Sequence, residues 1–177
     1  MQLTSIPANP VPEGATVGTV KTSDGVVLRF ARFEPPAGRK GTLCVLPGRA
    51  EFIEKYFEVV RDARARGFAV AILDWRGQGL SDRALPNARK GHVHDFAEYD
   101  RDLEAFVKEV VLPDCPPPHF ALGHSMGAAV LIRSAYHGRR WFDRIVLSGP
   151  MINLSGAAGS AYARASARVF RFLGMGS

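Results

Sequence analysis

Hydrophobic and polar positions along this chain recur with two different periods, and each change of period marks an element. Thr16–Lys21 and Val26–Phe33 are β-like runs on either side of Ser23-Asp24-Gly25, and Asp-Gly between such runs is a strong hairpin-turn signal. Leu43–Leu46 and Ala69–Leu73 are short continuous apolar runs, as expected of strands covered on both faces. Between them Ile53, Tyr56, Phe57 and Val60 recur at helical spacing. Glu54, Glu58, Arg61 and Asp62 occupy the other side, and Gly67 ends the predicted helix. A polar, Gly-rich loop leads to Asp95, which reads as an N-cap with Glu98 three residues on. Phe96, Tyr99, Leu103, Phe106 and Val110 then form one apolar helix face. Pro116-Pro117-Pro118 breaks the chain before a strand at Phe120–Leu122, a helix from Met126 to about His137, and a strand at Ile145–Leu147. From Ala157 to Leu173 a last helical pattern places Ala158, Tyr162, Ala165, Val169, Phe172 and Leu173 on one face, with Arg164, Arg168 and Arg171 opposite.

A hairpin followed by strands alternating with helices predicts an α/β fold: a mostly parallel sheet with an N-terminal β-hairpin and helices on both faces. The 177 residues suffice for one domain with a real core. Composition narrows the partners. There are 23 Lys+Arg against 17 Asp+Glu, a net charge of +6, but no basic run with interleaved aromatics, so no nucleic acid is expected. No run approaches the length of a membrane-spanning helix, and Met1–Val11 lacks the pattern of a secretory signal. Cys44 and Cys115 have neither metal spacing nor the look of a disulfide framework, so a reducing, cytoplasmic setting is the expectation.

The chemistry concentrates where Phe120–Leu122 runs into Gly123-His124-Ser125-Met126-Gly127 and a helical pattern starts at once. G-x-S-x-G between a strand and a helix is a nucleophile elbow. Its sharp turn lifts the Ser125 hydroxyl out of the sheet, over a helix N-terminus that favours developing negative charge, and the small Gly123 and Gly127 leave it room. The bare pattern arises by chance often enough that the structural alternative, a serine in an ordinary turn, rests on ignoring this context. Ester or amide cleavage also needs donors for an oxyanion: the N–H after the nucleophile, on Met126, and one from the loop after an earlier strand, where Pro47-Gly48-Arg49 offers the Arg49 N–H. The plain alternative there is a strand-to-helix turn. Gly77-Gln78-Gly79 lacks the third glycine of a dinucleotide loop, Asp82 standing in its place, and His92-x-His94 has no further ligand cluster. No metal and no cofactor are expected.

Gly123–Gly127, Asp74-Trp75-Arg76-Gly77-Gln78-Gly79-Leu80-Ser81 and the Pro47-Gly48 loop together resemble the α/β-hydrolase branch that holds serine aminopeptidases, monoacylglycerol lipases and bacterial lysophospholipases. Pro47-Gly48-Arg49 with Glu51 and Lys55-Tyr56, Gly91-His92-Val93, the Phe96–Tyr99–Asp102 spacing and Gly149-Pro150-Met151 lean toward the bacterial lysophospholipases. Pro47 departs from the broader branch, which usually has His there. The resemblance implies an α/β-hydrolase core over 1–150 and the start of a cap region at 151–177. It further implies Ser125 as nucleophile, Arg49 and Met126 amides as the oxyanion hole, and a cofactor-free serine hydrolase cleaving single-chain lipid esters through an acyl-enzyme. An aminopeptidase or general esterase of the same fold, and a non-catalytic remnant, remain as alternatives.

In this fold the acid and then the histidine follow the nucleophile. After Ser125 the sequence holds one histidine, His137, and one acid, Asp143. His137 lies about 18 Å along the helix that leaves the elbow, out of reach of a hydroxyl that needs contact within about 3 Å. The expectation is therefore a core truncated before its last strands, inactive as given, with Ile145–Leu147 an exposed apolar edge prone to self-association. The tail helix is expected to pack as a cap helix, with peripheral contact to the inner membrane as the alternative.

Overall fold

Strands β1 (Ala15–Lys21), β2 (Val27–Phe33), β3 (Thr42–Leu46), β4 (Ala69–Leu73), β5 (His119–His124) and β6 (Arg144–Ser148) pair into one sheet in the order β1-β2-β4-β3-β5-β6. The computed structural model describes residues 2–35, 38–153 and 161–173. β1 and β2 are antiparallel, β2 meets β4 antiparallel, and β4, β3, β5 and β6 run parallel, so the sheet is mixed with a parallel part at the functional end. The β1–β2 hairpin closes over Asp24-Gly25, where Gly25 has φ +89° and its N–H donates to the Thr22 carbonyl.

Helices cover both faces, as the alternation of the strand side chains requires. Ala31, Phe33, Val45, Val70 and Ile72 pack against Ile53, Phe57 and Val60, from a 3₁₀ turn (Ile53–Tyr56) and helix α1 (Phe57–Ala65). Leu28, Cys44, Leu46, Ala71 and Leu73 face the other way, onto Leu103, Phe106, Val130 and Leu131 of helices α2 (Glu98–Phe106) and α4 (Met126–Tyr136). Because Val45 lies between Cys44 and Leu46, and both of its neighbours are buried, the central strands read as unbroken apolar runs.

Strands fall within one or two residues of their sequence positions, but two helices differ. The helix expected from Asp95 begins at Glu98. Asp95 instead caps the preceding turn, its Oδ1 accepting the Ala97 N–H at 2.9 Å while its own N–H donates to Glu98 Oε1 at 3.2 Å. That helix also continues through a π turn (Val107–Val111) into α3 (Leu112–Asp114), which keeps Val107, Val110 and Val111 buried before the proline run. In the tail, helix α5 (Ala161–Phe172) leaves Tyr162, Val169 and Phe172 exposed. The earlier part of the expected tail helix, 157–160, and the Arg164 and Arg171 side chains of its basic face lie outside the described residues.

Candidate active site

Ser125 sits between β5 and α4 with φ +49° and ψ −109°, a combination that a residue with a Cβ rarely adopts. Conformations of this kind cost about 1–3 kcal/mol and persist only where the surroundings impose them. Here the Ser125 N–H donates to the Ser148 carbonyl at 3.0 Å, and the Ser125 carbonyl accepts from Ala129 and Met151 N–H, each at 3.1 Å. The elbow is thus bolted to the end of β6 as well as to its own helix. Glycine is required on either side: a Cβ on Gly123 would stand 2.7 Å from Leu131 Cδ1, and one on Gly127 would collide with the Leu46 and Pro47 carbonyl oxygens.

The Pro47–Ala50 loop lies against the elbow, since a Cβ on Gly48 would be 3.2 Å from Ser125 Cβ. Three side chains hold this loop. Trp75 Nε1–H donates to the Pro47 carbonyl at 2.8 Å. Gln78 bridges two points, Nε2 donating to the Gly48 carbonyl at 3.4 Å and Oε1 accepting the Ala50 N–H. Glu51 Oε2 accepts the Gly48 N–H at 2.6 Å, the Tyr56 hydroxyl at 2.5 Å and the His124 Nδ1–H at 3.0 Å, while Oε1 meets Lys55 Nζ at 2.8 Å. Burial of Glu51 works against its charge, but these four donors outweigh it and hold the carboxyl at about 2. An ionised carboxylate only accepts, so Nδ1 is the protonated nitrogen of His124.

After this clamping, the Arg49 N–H is the loop amide left without an acceptor among the described residues, Gly48 and Ala50 having donated theirs to side chains. On the other side of Ser125, Met126 is the first residue of α4, and its N–H likewise has no partner among the described residues. Two unused backbone donors therefore flank the serine.

The Asp74–Ser81 segment owes its shape to buried ion pairs that sequence reasoning missed. Arg29 on β2 donates from Nε to Asp74 at 2.6 Å and from both terminal nitrogens to Glu54 at 2.8 Å. Asp74 also accepts the Ile53 and Leu80 N–H groups at 2.9 Å, and Gly79, at φ +50°, leaves room for that carboxylate. Arg76 gathers Asp102 at 2.7 Å, Asp24 at 2.8 Å and Glu98 at 2.9 Å. Arg29 and Arg32 both lie in the apolar strand β2, and nothing in the sequence tells which of them is buried; the second network joins residues too far apart in sequence to show.

No histidine among the described residues reaches the Ser125 hydroxyl. His124 is bonded to Glu51, His119 Nε2 lies 3.1 Å from the Cys115 carbonyl, His92 and His94 pack ring against ring at 4.8 Å, and His137 ends α4 beside Tyr136.

Comparison with known proteins gives the family and the fold. Residues 37–175 match the family described as serine aminopeptidase, S33. Lysophospholipase L2 of Escherichia coli K12 is 36% identical over 131 residues, covering 74% of this chain and 38% of that protein. Monoacylglycerol lipase of Mycolicibacterium smegmatis is 30% identical over 133 residues, 73% of this chain and 44% of its own length. The chain thus spans about two-fifths of the curated relatives it matches. The crystal structure of the α/β-hydrolase GrgF from Penicillium superposes with a TM-score of 0.72 at 18% identity, covering 90% of this chain and 53% of that one, a likeness of fold. With a family match over most of its length and a likeness of fold to α/β-hydrolase structures, this chain belongs to the serine aminopeptidase S33 family of α/β-hydrolases.

Proposed function

We propose that Ser125 is the nucleophile of a carboxyl-ester hydrolase acting on single-chain lipid esters through an acyl-enzyme. Ser125 Oγ attacks the ester carbonyl, the carbonyl oxygen becomes an oxyanion held by the Arg49 and Met126 N–H groups, and collapse expels the alcohol. Water then releases the fatty acid. The observation that carries the reading is the pair of backbone donors left unused on either side of a strained Ser125. The names of the relatives, lysophospholipase and monoacylglycerol lipase, support the substrate class.

In this reading the proton acceptor for Ser125 is a histidine outside these 177 residues, since among the described residues no histidine is hydrogen-bonded to Ser125, and His119 and His124 have other partners. The chain alone therefore turns over little or nothing. A fluorophosphonate probe together with p-nitrophenyl butyrate, on this chain and on Ser125→Ala, tests both statements. Little labelling and no turnover is the expected result. Turnover that Ser125→Ala abolishes would place a base within these residues and make His92 and His94 the next to mutate. In a protein that carries the base, Ser125→Ala should lower kcat/KM by at least about 10³-fold.

An aminopeptidase on this scaffold would need free carboxylates for a substrate ammonium. Beside the Arg49 loop, Glu51 and Glu54 are both already held by cations, which favours the ester reading.

A further inference from the structure

A cavity of about 700 Å³ lies between the Pro47–Ala50 loop, the Arg76–Leu80 turn and the loop around Gly91. Cations outnumber carboxylates on its walls, and most of the charges answer one another. Glu54 is clasped by Arg29, Glu51 by Lys55, and Arg76 by Asp24, Glu98 and Asp102. Arg49, Arg83 and Arg89 line the same cavity with no carboxylate partner among the described residues. Arg83 is fixed without being neutralised: its guanidinium donates to the Gly77 carbonyl and, at 2.9 Å, to the Gly79 carbonyl. The Arg49 guanidinium reaches toward Gly91, 3.9 Å from where a Cβ on that glycine would stand.

We propose that this cavity is an anion subsite that takes the phosphate ester of a substrate head group. Guanidinium forks match phosphate oxygens two at a time, and three uncompensated charges gathered in one concavity, walled partly by Phe52, Leu80 and Val93, raise the local concentration of an anion. The subsite lies within reach of the reacting centre. Gly48 touches Ser125, and Arg49, the next residue and about 3.8 Å on, lines the cavity. In a single-chain phospholipid, ester carbonyl and phosphorus are separated by about six bonds, roughly 7 Å extended. Arg49 therefore serves both places, its N–H toward the oxyanion and its side chain toward the head group. The head-group assignment rests on Ser125 being the reacting centre; the anion site itself does not.

Binding of sn-glycerol 3-phosphate, inorganic phosphate and glycerol to the full chain, followed by ¹⁵N NMR, tests this without any need for turnover. Saturable binding of sn-glycerol 3-phosphate is expected, with the largest shifts at Arg49, Gly91 and His92, and none with glycerol. Arg89→Ala, whose side chain bonds to no other group among the described residues, should weaken it about tenfold, and Arg89→Lys should recover part of that loss. Thermal unfolding of both variants checks that the fold is intact. No saturable binding, affinity unchanged in Arg89→Ala, or shifts confined to α5 would overturn the subsite. Inorganic phosphate binding as tightly as the ester would assign the site to free phosphate and overturn the head-group reading. The two proposals fail separately. Lost anion binding with a reactive Ser125 sinks the subsite alone, whereas retained anion binding with Ser125 inert in the base-containing enzyme sinks the hydrolase reading alone.

Discussion

Backbone strain at Ser125 and the absence of a Cβ at Gly127 are two sides of one arrangement. The hydroxyl can be raised above the sheet only because the next turn of α4 passes directly beneath the Leu46 and Pro47 carbonyls. Gly127→Ala should therefore push apart the elbow and the Pro47–Ala50 loop. A loss of about 3 kcal/mol, the upper end for overpacking, is expected in urea unfolding. Glu51 is the other decisive residue. Its carboxyl is held at about 2 against an ordinary 4.5, so the folded state binds its proton less readily than the unfolded chain. The stabilisation this supplies is complete above about pH 4.5 and is lost as pH falls toward 2. The melting temperature of the native chain should fall more steeply across that window than that of Glu51→Gln, which has no charge to lose there. Identical slopes would show that Glu51 is not the group responsible.

Elements meet at buried charges as well as at apolar faces. Arg29 on β2, Asp74 after β4 and Glu54 in the 3₁₀ turn tie three segments that the hydrophobic pattern treats as independent. Replacing Asp74 by Ala leaves a nearly inaccessible guanidinium short of one partner and two backbone N–H groups without an acceptor. The expected cost is about 3–5 kcal/mol in urea unfolding, with loosening of the Pro47–Ala50 loop through Gln78. At the other side of the sheet, β6 pairs with β5 alone among the described residues, and Val146 on it is 59% exposed. An unpaired parallel edge with apolar side chains should pair with a second copy. Sedimentation velocity of this chain is expected to show species larger than a monomer, and Val146→Lys should shift them toward the monomer. A monomer at every concentration would dismiss the idea.

For the molecule as a whole, the sheet order brings β3, β4 and β5 side by side, so the loops after these three strands converge at one end. Those loops carry Gly48-Arg49, Trp75–Gln78 and Ser125, and they are tied together by Trp75 and Gln78 bonding to Pro47 and Gly48 and by His124, next to Ser125, bonding to Glu51. The elbow, the loop that faces it and the clamp that holds the loop therefore form one rigid end of a parallel sheet, with the cationic cavity beside it.

Much of this was legible in the sequence because it depends on local periodicity and local steric demand. Continuous apolar runs mark buried strands, Asp24-Gly25 marks a hairpin, and Gly123-His124-Ser125-Met126-Gly127 marks a sharp strand-to-helix turn because a strand precedes it and a helix follows. The start of α2 and its run through a π turn were not legible, since capping geometry and the burial of Val110 and Val111 decided them. Nor was the binding of His124 to Glu51, the use of Trp75 and Gln78 as clamps, or which arginines keep an unanswered charge. Arg29, Arg76 and Arg83 look alike in sequence. Only the tertiary structure gives the first two their carboxylates and the third two neutral carbonyls, because pairing depends on distances between segments that local pattern does not encode.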